Sequence, residues 1–180
     1  GKENYNKTID SDEYFNSIPT VMYYMDEPLA DPSCIALYFV DQVAAEQIKV
    51  VLSGEGADEF FGGYNIYKEP LDTAGYRKLP KGLRKGLANA AQAVPFKFKG
   101  KNFLIRGSKD IEERFIGNAF MFNEKERAKI LKNPTGKYNH KELTKPFYDK
   151  VKDKDDVTKM QYIDINFWLI GDILLKADKM

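Results

Sequence analysis

The sequence predicts an α/β protein that is mostly α-helical, with one or two strands. The first observation behind this prediction is an apolar, β-branched run over residues 48–52, which ends abruptly at two glycines and leads into a helical pattern. The second is a succession of short helical patterns over the rest of the chain, separated by proline and glycine. A buried strand, a turn and a helix in such a chain are typical of part of a doubly wound α/β domain with a helical extension.

The remaining elements follow from apolar spacing and from capping residues. Asp10 or Ser11 caps the first helix, and Pro19 is expected to mark a break or a new start in it. Residues 5–9 show a short alternation that predicts a strand. Gly171 and Asp172 are expected to divide the last apolar segment, with Asp172 capping its second half. The predicted helices are residues 11–25, 32–46, the segment after the glycine turn, 80–93, 100–106, 111–122, 124–131, 145–152 and 157–180.

The composition excludes several protein classes. With 43% hydrophobic and 31% charged residues and no apolar run of spanning length, the chain is too polar for a membrane protein. Its single cysteine, Cys34, excludes an intramolecular disulfide framework, and no signal peptide is recognisable. A chain of this length and composition can bury one core, and we expect a cytoplasmic location. A formal net charge of +1 says nothing about partners.

The turn after residues 48–52 is the main candidate for chemistry. Gly54 and Gly56 allow a tight turn and the close approach of a ligand, and the N-terminus of the next helix attracts anions. Glu55, Asp58 and Glu59 would repel a phosphate unless a cation such as Mg²⁺ stood between them. Their spacing predicts that the three carboxylates share one helix face, where one could hold the metal and another accept a proton.

An ordinary structural interpretation explains the same residues. Acidic side chains in a first helical turn complement the helix dipole, and glycines after a strand are common turn residues. The segment has neither the Walker pattern nor the dinucleotide-binding fingerprint. Local physical arguments alone therefore leave both interpretations open.

Three motifs in order resemble the glutamine-hydrolysing asparagine synthetase family. Residues 53–64, SGEGADEFFGGY, are similar to that family's SGEGADELFGGY signature. Residues 26–33 resemble its DEPLADPS segment, and residues 173–180, ILLKADKM, resemble its LLLKVDRM segment. The matches cover both ends and the middle of the chain, which makes them far more specific together than singly.

Other parts of the family pattern do not occur here. The N-terminal glutaminase domain with its first-residue cysteine is not found, and no SGGxDS pyrophosphate loop occurs in residues 1–180. The chain begins with Gly1 and ends inside an apolar helical pattern. The resemblance therefore implies that residues 1–180 are part of the C-terminal synthetase domain, a doubly wound adenine-nucleotide-binding domain of the ATP pyrophosphatase type.

The resemblance implies a specific reaction for the whole protein. The aspartate side chain attacks ATP to give β-aspartyl-AMP and pyrophosphate, and ammonia released from glutamine then displaces AMP to give asparagine. Ser53, Gly54 and Gly56 match positions near ATP, Asp58 matches a Mg²⁺ ligand, and Glu55 matches the carboxylate that accepts a proton from ammonia. The partners are thus small molecules, with no nucleic acid or membrane, and the whole protein is expected to be a homodimer.

The family also has a lysine near the end of the chain that meets the reacting phosphates and the acyl intermediate. Both Lys176 and Lys179 lie in the matching segment, and many relatives read DRM where this chain has Asp178, Lys179 and Met180. The motif does not decide between the two lysines, although Lys179 is slightly preferred. An exposed charge that complements the helix C-terminus is the ordinary alternative for either.

Several other residues have an ordinary interpretation. Tyr64 is expected to be structural, and the acids of residues 26–33 are expected to cap helices or to orient their neighbours. His140, the only histidine, lies in a polar stretch and is expected at the surface, while Cys34 is expected to be a small buried side chain.

Basic residues form the last notable pattern, because no acidic residue occurs between Asp72 and Asp110. Two alternative functions stay open: a related enzyme that adenylates another carboxylate, such as a β-lactam synthetase or a peptide cyclase, and a non-catalytic helical module that binds through this stripe. A solvated helical face explains the stripe without a nucleic-acid partner. The basic stripe consists of Arg77, Lys78, Lys81, Arg84, Lys85, Lys97, Lys99, Lys101, Arg106 and Lys109.

Overall fold

The computed structural model of the chain describes residues 4–27, 31–118, 120–122, 124–133 and 139–180. Its helices are α1 (Ser11–Met25), α2 (Ser33–Ala45), α3 (Ala57–Phe61), α4 (Glu69–Asp72), α5 (Ala74–Arg77), α6 (Lys81–Ala93), α7 (Lys101–Gly107), α8 (Ile111–Arg114), α9 (Glu124–Ile130), α10 (His140–Lys150), α11 (Asp156–Asn166) and α12 (Leu174–Lys179). A 3₁₀ turn spans Asn65–Lys68, and a π-helical turn spans Leu169–Ile173. No helix in these ranges is long and apolar enough to cross a membrane.

The chain forms two compact units. The first contains the described residues up to Gly56 together with Leu169–Met180, and the second contains Ala57–Trp168. The sequence motifs at both ends of the chain therefore belong to one unit, and the helix α3 that follows the glycine turn belongs to the other.

In the first unit, α1 begins where the sequence predicts. The Asp10 carboxylate accepts a hydrogen bond from the Glu13 amide at 2.8 Å, and the Glu13 carboxylate accepts one from the Asp10 amide, which forms a capping box. The helix continues through Pro19, so the predicted break at that residue is wrong. It ends at Asp26, whose φ of 62° is in the left-handed region.

The apolar core of the first unit joins the start of the chain to its end. α12 packs against both α1 and α2. Leu175 and Met180 contact the buried cluster from α12 and its C-terminal end. The cluster consists of Val21, Met25, Cys34, Ile35 and Phe39.

The second unit is organised around α11. This helix packs against α3, α8, α10 and the 3₁₀ turn. Met160 and Ile163 on α11 are fully buried. They meet Tyr67, Ile111, Phe115 and Tyr148 in one apolar cluster. The signature residues that follow Gly56 are therefore built onto a helix from near the end of the chain.

The predicted strands do not form within the described residues. Residues 48–52 are largely exposed, with Val50 at 78% and Leu52 at 96%, and residues 5–9 are also irregular. A strand is stable only when a neighbour takes up its backbone hydrogen bonds and covers its apolar side chains. No such neighbour pairs with either segment in the described part of the chain, so the structure there is helical and the α/β character is not confirmed.

Three helix predictions need correction. The helix predicted over residues 111–122 ends at Arg114, because Phe115 is extended and Gly117 has a left-handed φ of 106°. The helix predicted over residues 145–152 begins earlier, at His140, because Asn139 caps it through the Lys141 amide. The last break lies at Phe167, not at Gly171, and Asp172 lies inside the π-helical turn, where it caps nothing.

Candidate functional site

The glycine turn belongs to the first unit as far as Gly56. Ser53, Gly54 and Glu55 are exposed, and the Glu55 amide lies 3.5 Å from the Ser53 hydroxyl, which is a marginal hydrogen bond. Gly56 is buried with a φ of 88°, a backbone conformation that strongly favours glycine. Gly56 thus shapes the turn, while the Ser53 and Glu55 side chains stay accessible.

The acids of α3 have different surroundings. Asp58 is exposed, and its carboxylate has no hydrogen-bond or ion-pair partner within the described residues. Glu59 is only 1% exposed and accepts a hydrogen bond from the Tyr64 hydroxyl at 2.7 Å. That hydroxyl in turn accepts one from the Trp168 indole at 3.2 Å. The prediction that the three carboxylates share one helix face is therefore wrong for Glu59, because its carboxylate is buried and hydrogen-bonded to Tyr64.

Tyr64 itself is a structural residue, as expected. Burial and the hydrogen bond to Glu59 raise the pKa of its hydroxyl, so the phenol stays protonated and keeps donating to the carboxylate. The Tyr64 ring also packs against the Tyr67 ring, with 5.7 Å between the ring centroids.

α11 holds the signature residues of the second unit in place. The Gln161 side-chain amide donates to the backbone carbonyls of Glu59 at 2.9 Å and Phe60 at 3.2 Å, which are among the open carbonyls at the end of α3. One turn later, the buried Asp164 carboxylate accepts from the Tyr67 hydroxyl at 2.6 Å and from the Asn118 amide at 2.9 Å. Burial raises the pKa of Asp164 to about 6 despite these hydrogen bonds.

Lys176 is the centre of a polar cluster in the first unit. Its ammonium donates to the Asp31 carboxylate and to the Ser33 hydroxyl, both at 2.7 Å, and its side chain is only 7% exposed. Ser33 donates to the Asp31 carboxylate at 2.6 Å, which closes the network. Burial tends to raise the pKa of Asp31, but the hydrogen bonds from Lys176 and Ser33 outweigh it and lower that pKa to about 2. The structure thus joins the DEPLADPS-like segment to the chain end through a buried ion pair.

Asp172 completes this cluster. Its Oδ2 lies 3.9 Å from the Lys176 ammonium, and this buried oxygen has no hydrogen-bond partner within the described residues. Burial and the neighbouring Asp31 charge raise the pKa of Asp172 to about 6. The π-helical turn places Asp172 one helical turn before Lys176, on the same side of the chain.

Lys179 has a more peripheral position. Its ammonium donates to the Asp26 carboxylate at 2.5 Å, yet the side chains of Lys179 and Asp26 are 34% and 71% exposed. This hydrogen bond raises the pKa of Lys179. The two lysines of the LLLKVDRM-like segment are therefore distinct: one is buried among the acids and hydroxyl of the first unit, and the other forms a surface pair.

Sequence reasoning missed part of this cluster. Asp31 was expected to orient a neighbour, and it does so at Lys176, a contact across 145 residues that no local pattern shows. Ser33 and Asp172 were not identified as site residues. The spacing of four residues between Asp172 and Lys176 is the one signal that points to their contact.

Cys34 fits its ordinary interpretation, whereas the surface position expected for His140 is found only in part. Cys34 is buried, its thiol lies 2.9 Å from the Asp31 carbonyl, and burial raises its pKa, as expected for an unreactive core thiol. His140 begins α10 and is partly buried.

The described residues offer limited support for a metal. No three Asp, Glu, His or Cys side chains among them are close enough to hold an ion. Mg²⁺, however, commonly takes only one or two carboxylates together with phosphate oxygens and water. The exposed Asp58 carboxylate has no partner within the described ranges and both its oxygens free, so the donor chemistry fits a Mg²⁺ ion that is held mainly by phosphates.

Half of the basic residues in the stripe form hydrogen bonds or ion pairs with other residues of the second unit. Arg84 is buried and donates to the Leu79 and Gly107 carbonyls, and Arg106 pairs with Glu69 at 2.6 Å. Arg77 pairs with Asp156, Lys81 with Asp110, and Lys101 with the Val94 carbonyl. Five cations of the stripe thus hold the second unit together, which weakens the interpretation of the stripe as a nucleic-acid surface.

Comparisons with known proteins add an independent finding. The family model described as asparagine synthase matches residues 1–180. Asparagine synthetase [glutamine-hydrolyzing] 1 of Bacillus subtilis is 45% identical over 180 residues, which cover 100% of this chain and 28% of that protein. A putative asparagine synthetase [glutamine-hydrolyzing] of Mycobacterium tuberculosis is 43% identical over 174 residues, which cover 97% of this chain and 27% of that protein.

A more distant relative matches a shorter region. A putative asparagine synthetase of Methanocaldococcus jannaschii is 46% identical over 59 residues, 33% of this chain. No solved structure matches the chain. The chain thus spans somewhat more than a quarter of the length of the curated relatives that match it throughout.

Proposed function

The chain belongs to the asparagine synthase family, and we propose that it is part of the synthetase domain of a glutamine-hydrolysing asparagine synthetase. In this proposal the whole protein is an ATP-dependent ligase. It activates aspartate as β-aspartyl-AMP and forms asparagine with ammonia from glutamine. The observation that carries the proposal is the match of the entire chain to this family, including all three motifs.

We propose Lys176 as the lysine that meets the reacting phosphates and the acyl group. Pyrophosphate departure increases negative charge on the leaving oxygens, and a fixed ammonium stabilises that charge best when it is already oriented. Lys176 is held by Asp31 and Ser33 from the DEPLADPS-like segment. The less buried Lys179 donates only to the Asp26 carboxylate among the described residues. The geometry therefore supports Lys176 over Lys179, which the motif alone slightly favoured.

The glycine turn is proposed to serve both ATP and ammonia. Ser53, Gly54 and Gly56 would lie against ATP, and Glu55 would accept a proton from the attacking ammonia. The exposure of Ser53 and Glu55 supports this assignment, because both side chains are free to meet a ligand. Asp58 would hold Mg²⁺, which neutralises charge on the pyrophosphate when it is bound.

The finer features of the whole protein are also proposals. We propose that residues 48–52 form a strand of a doubly wound sheet whose other strands lie outside this chain, because the run is apolar, β-branched and largely exposed here. The homodimer follows from the family resemblance alone, and the cytoplasmic location follows from composition.

The proposal is tested by ATP–pyrophosphate exchange in the longer protein that contains this chain. Exchange should require aspartate, and Lys176→Ala should lower its rate about 10²-fold, as expected for removal of one preorganised charged donor. Lys179→Ala is the matched control and should retain most of the rate. Exchange that another carboxylate stimulates and aspartate does not would contradict the assignment of the substrate and favour the related adenylating enzymes.

A substitution of Glu55 should affect the two half-reactions, adenylation of aspartate and formation of asparagine, to different extents. Glu55→Gln should leave aspartate-dependent ATP–pyrophosphate exchange nearly unchanged and should strongly reduce asparagine formation, because proton acceptance from ammonia follows adenylation. Loss of both activities to the same extent would instead place Glu55 in ATP binding.

A further inference from the structure

The two adjacent glycines that follow α3 serve different physical purposes. Gly62 has a φ of 72°, a backbone conformation in which a side chain is strained, and a Cβ there would make only ordinary contacts, at 3.7 Å or more. Gly63 does not have a positive φ. Gly62 is therefore required by the backbone, whereas Gly63 needs another explanation.

The space beside Gly63 is filled by Asp58. A Cβ on Gly63 would lie 1.9 Å from Asp58 Oδ1, 3.0 Å from its Cγ and 3.3 Å from its Cα. The first distance is far below van der Waals contact and the other two are tight, so the carboxylate occupies the volume that a side chain at residue 63 would need. The Gly63 amide also donates to the Asp58 carbonyl at 3.0 Å, which keeps the two residues together.

The backbone that carries Asp58 is fixed from the other side. Gln161 binds the carbonyls of Glu59 and Phe60 at the end of α3, and the buried Glu59 side chain is held by Tyr64. With α3 anchored in this way, Asp58 can respond to crowding mainly by rotating its side chain. That rotation costs little, because the carboxylate is exposed and has no partner in the described part of the chain.

We propose that Gly63 is a positioning residue: its missing side chain leaves free the space that the Asp58 carboxylate occupies when it is oriented to meet Mg²⁺. The proposal rests on the function proposed above for Asp58. A side chain at residue 63 moves the carboxylate and weakens metal binding while it leaves the fold nearly intact. A side chain at residue 62 strains the backbone and leaves the carboxylate where it is.

Gly63→Ala and Gly62→Ala are compared in the longer protein by two measurements. Binding of Mn²⁺ in the presence of ATP, followed by electron paramagnetic resonance, should weaken about 10–100-fold in Gly63→Ala, the usual cost of disturbing a group that orients a metal ligand. In Gly62→Ala it should change less than twofold. The midpoint of thermal unfolding should show the reverse order, with the larger fall in Gly62→Ala.

Asp58→Asn separates failure of this proposal from failure of the proposed function. If Asp58→Asn weakens Mn²⁺ binding and Gly63→Ala does not, the positioning role is overturned and the metal role of Asp58 stands. If Asp58→Asn leaves Mn²⁺ binding unchanged, both roles are overturned. Equal losses of thermal stability and unchanged metal binding in the two glycine variants would identify Gly63 as a packing residue only.

A double variant keeps the proposal testable if Gly63→Ala prevents folding. Asp58→Ala removes the carboxylate that the new methyl group meets, so Asp58→Ala/Gly63→Ala should fold even if Gly63→Ala alone does not. A double variant that also fails to fold would overturn the proposal, because the new methyl group would then meet something other than the Asp58 carboxylate.

Discussion

At the scale of single residues, Lys176 links stability to the proposed chemistry. Its ammonium makes two hydrogen bonds at 2.7 Å, and its removal leaves the Asp31 carboxylate partly buried without its cation. Lys176→Ala should lower the free energy of unfolding by about 2 kcal/mol, less than the full cost of breaking a buried pair because Asp31 keeps some solvent and the Ser33 hydrogen bond.

The free energy of unfolding of both variants is measured by urea denaturation, and Lys179→Ala is the control. Its ion pair with Asp26 is exposed, so this substitution should lower stability much less than Lys176→Ala. Equal losses in the two variants would contradict the distinction between a buried and a surface lysine.

The raised pKa of Asp172 predicts that the stability of the chain depends on pH. Its pKa is raised from 3.8 to about 6 in the folded chain, so between pH 4 and 6 the folded state binds more protons than the unfolded state at this residue. The contribution of Asp172 to stability is therefore largest below pH 4 and decreases as the pH rises through 6. Asp172→Asn should flatten this part of the curve of unfolding free energy against pH.

Asp31 acts in the opposite sense and over a lower range of pH. Its pKa is lowered from 3.8 to about 2, so its contribution is complete above pH 4 and is lost as the pH falls toward 2. Asp31→Asn should remove this acid-induced loss and should also reduce the slope between pH 4 and 6, because the Asp31 charge contributes to the raised pKa of Asp172. A parallel effect of both substitutions across the whole range would show that the two carboxylates titrate as one group.

At the scale of elements, the proposed strand over residues 48–52 leads to a prediction about amide hydrogen exchange. Val50 and Leu52 are exposed in this chain, and the segment has no strand partner among the described residues. In the longer protein the same amides should be protected from hydrogen exchange, because a sheet would take up their hydrogen bonds. In the 180-residue chain the amides of residues 50–52 should exchange at nearly the rate of an unfolded peptide.

The matched reference for this measurement is α1, whose amides should be protected in both proteins. Its capping box and buried face are complete within the first unit. Protection of residues 50–52 in the 180-residue chain would contradict the proposal that their partners lie elsewhere, and a lack of protection in the longer protein would contradict the strand itself.

The elements also show what a sequence can and cannot predict. α1 was predicted with its observed bounds, because a cap and an apolar face are local signals. The helix predicted over residues 111–122 was wrong, since Gly117 adopts a left-handed conformation beside the buried Asp164, a tertiary contact. The motif residues of the site were recognisable, whereas the contact between Asp31 and Lys176 depends on packing between distant parts of the chain.

At the scale of the whole molecule, the residues with proposed roles lie in two separate units. Ser53, Glu55 and Lys176 belong to the first unit, and Asp58 belongs to the second. The boundary at Gly56 thus lies within the signature itself. Each unit has its own buried cluster, so each can hold its own side chains in position.

The 180-residue chain alone should show little or no aspartate-dependent ATP–pyrophosphate exchange, and calorimetric titration with Mg-ATP should detect weak binding at most. No SGGxDS loop occurs in the 180 residues, so the acids of the glycine turn have no such loop here to bind pyrophosphate. The longer protein, assayed under the same conditions, is the positive control. Circular dichroism must show a helical and cooperatively unfolding chain, because an unfolded sample would also be inactive. Robust exchange by the folded 180-residue chain would contradict the proposal that it is only part of the adenylating site. Residues of this chain would then have to bind the pyrophosphate. The buried Lys176 would be the first residue to substitute in order to identify them.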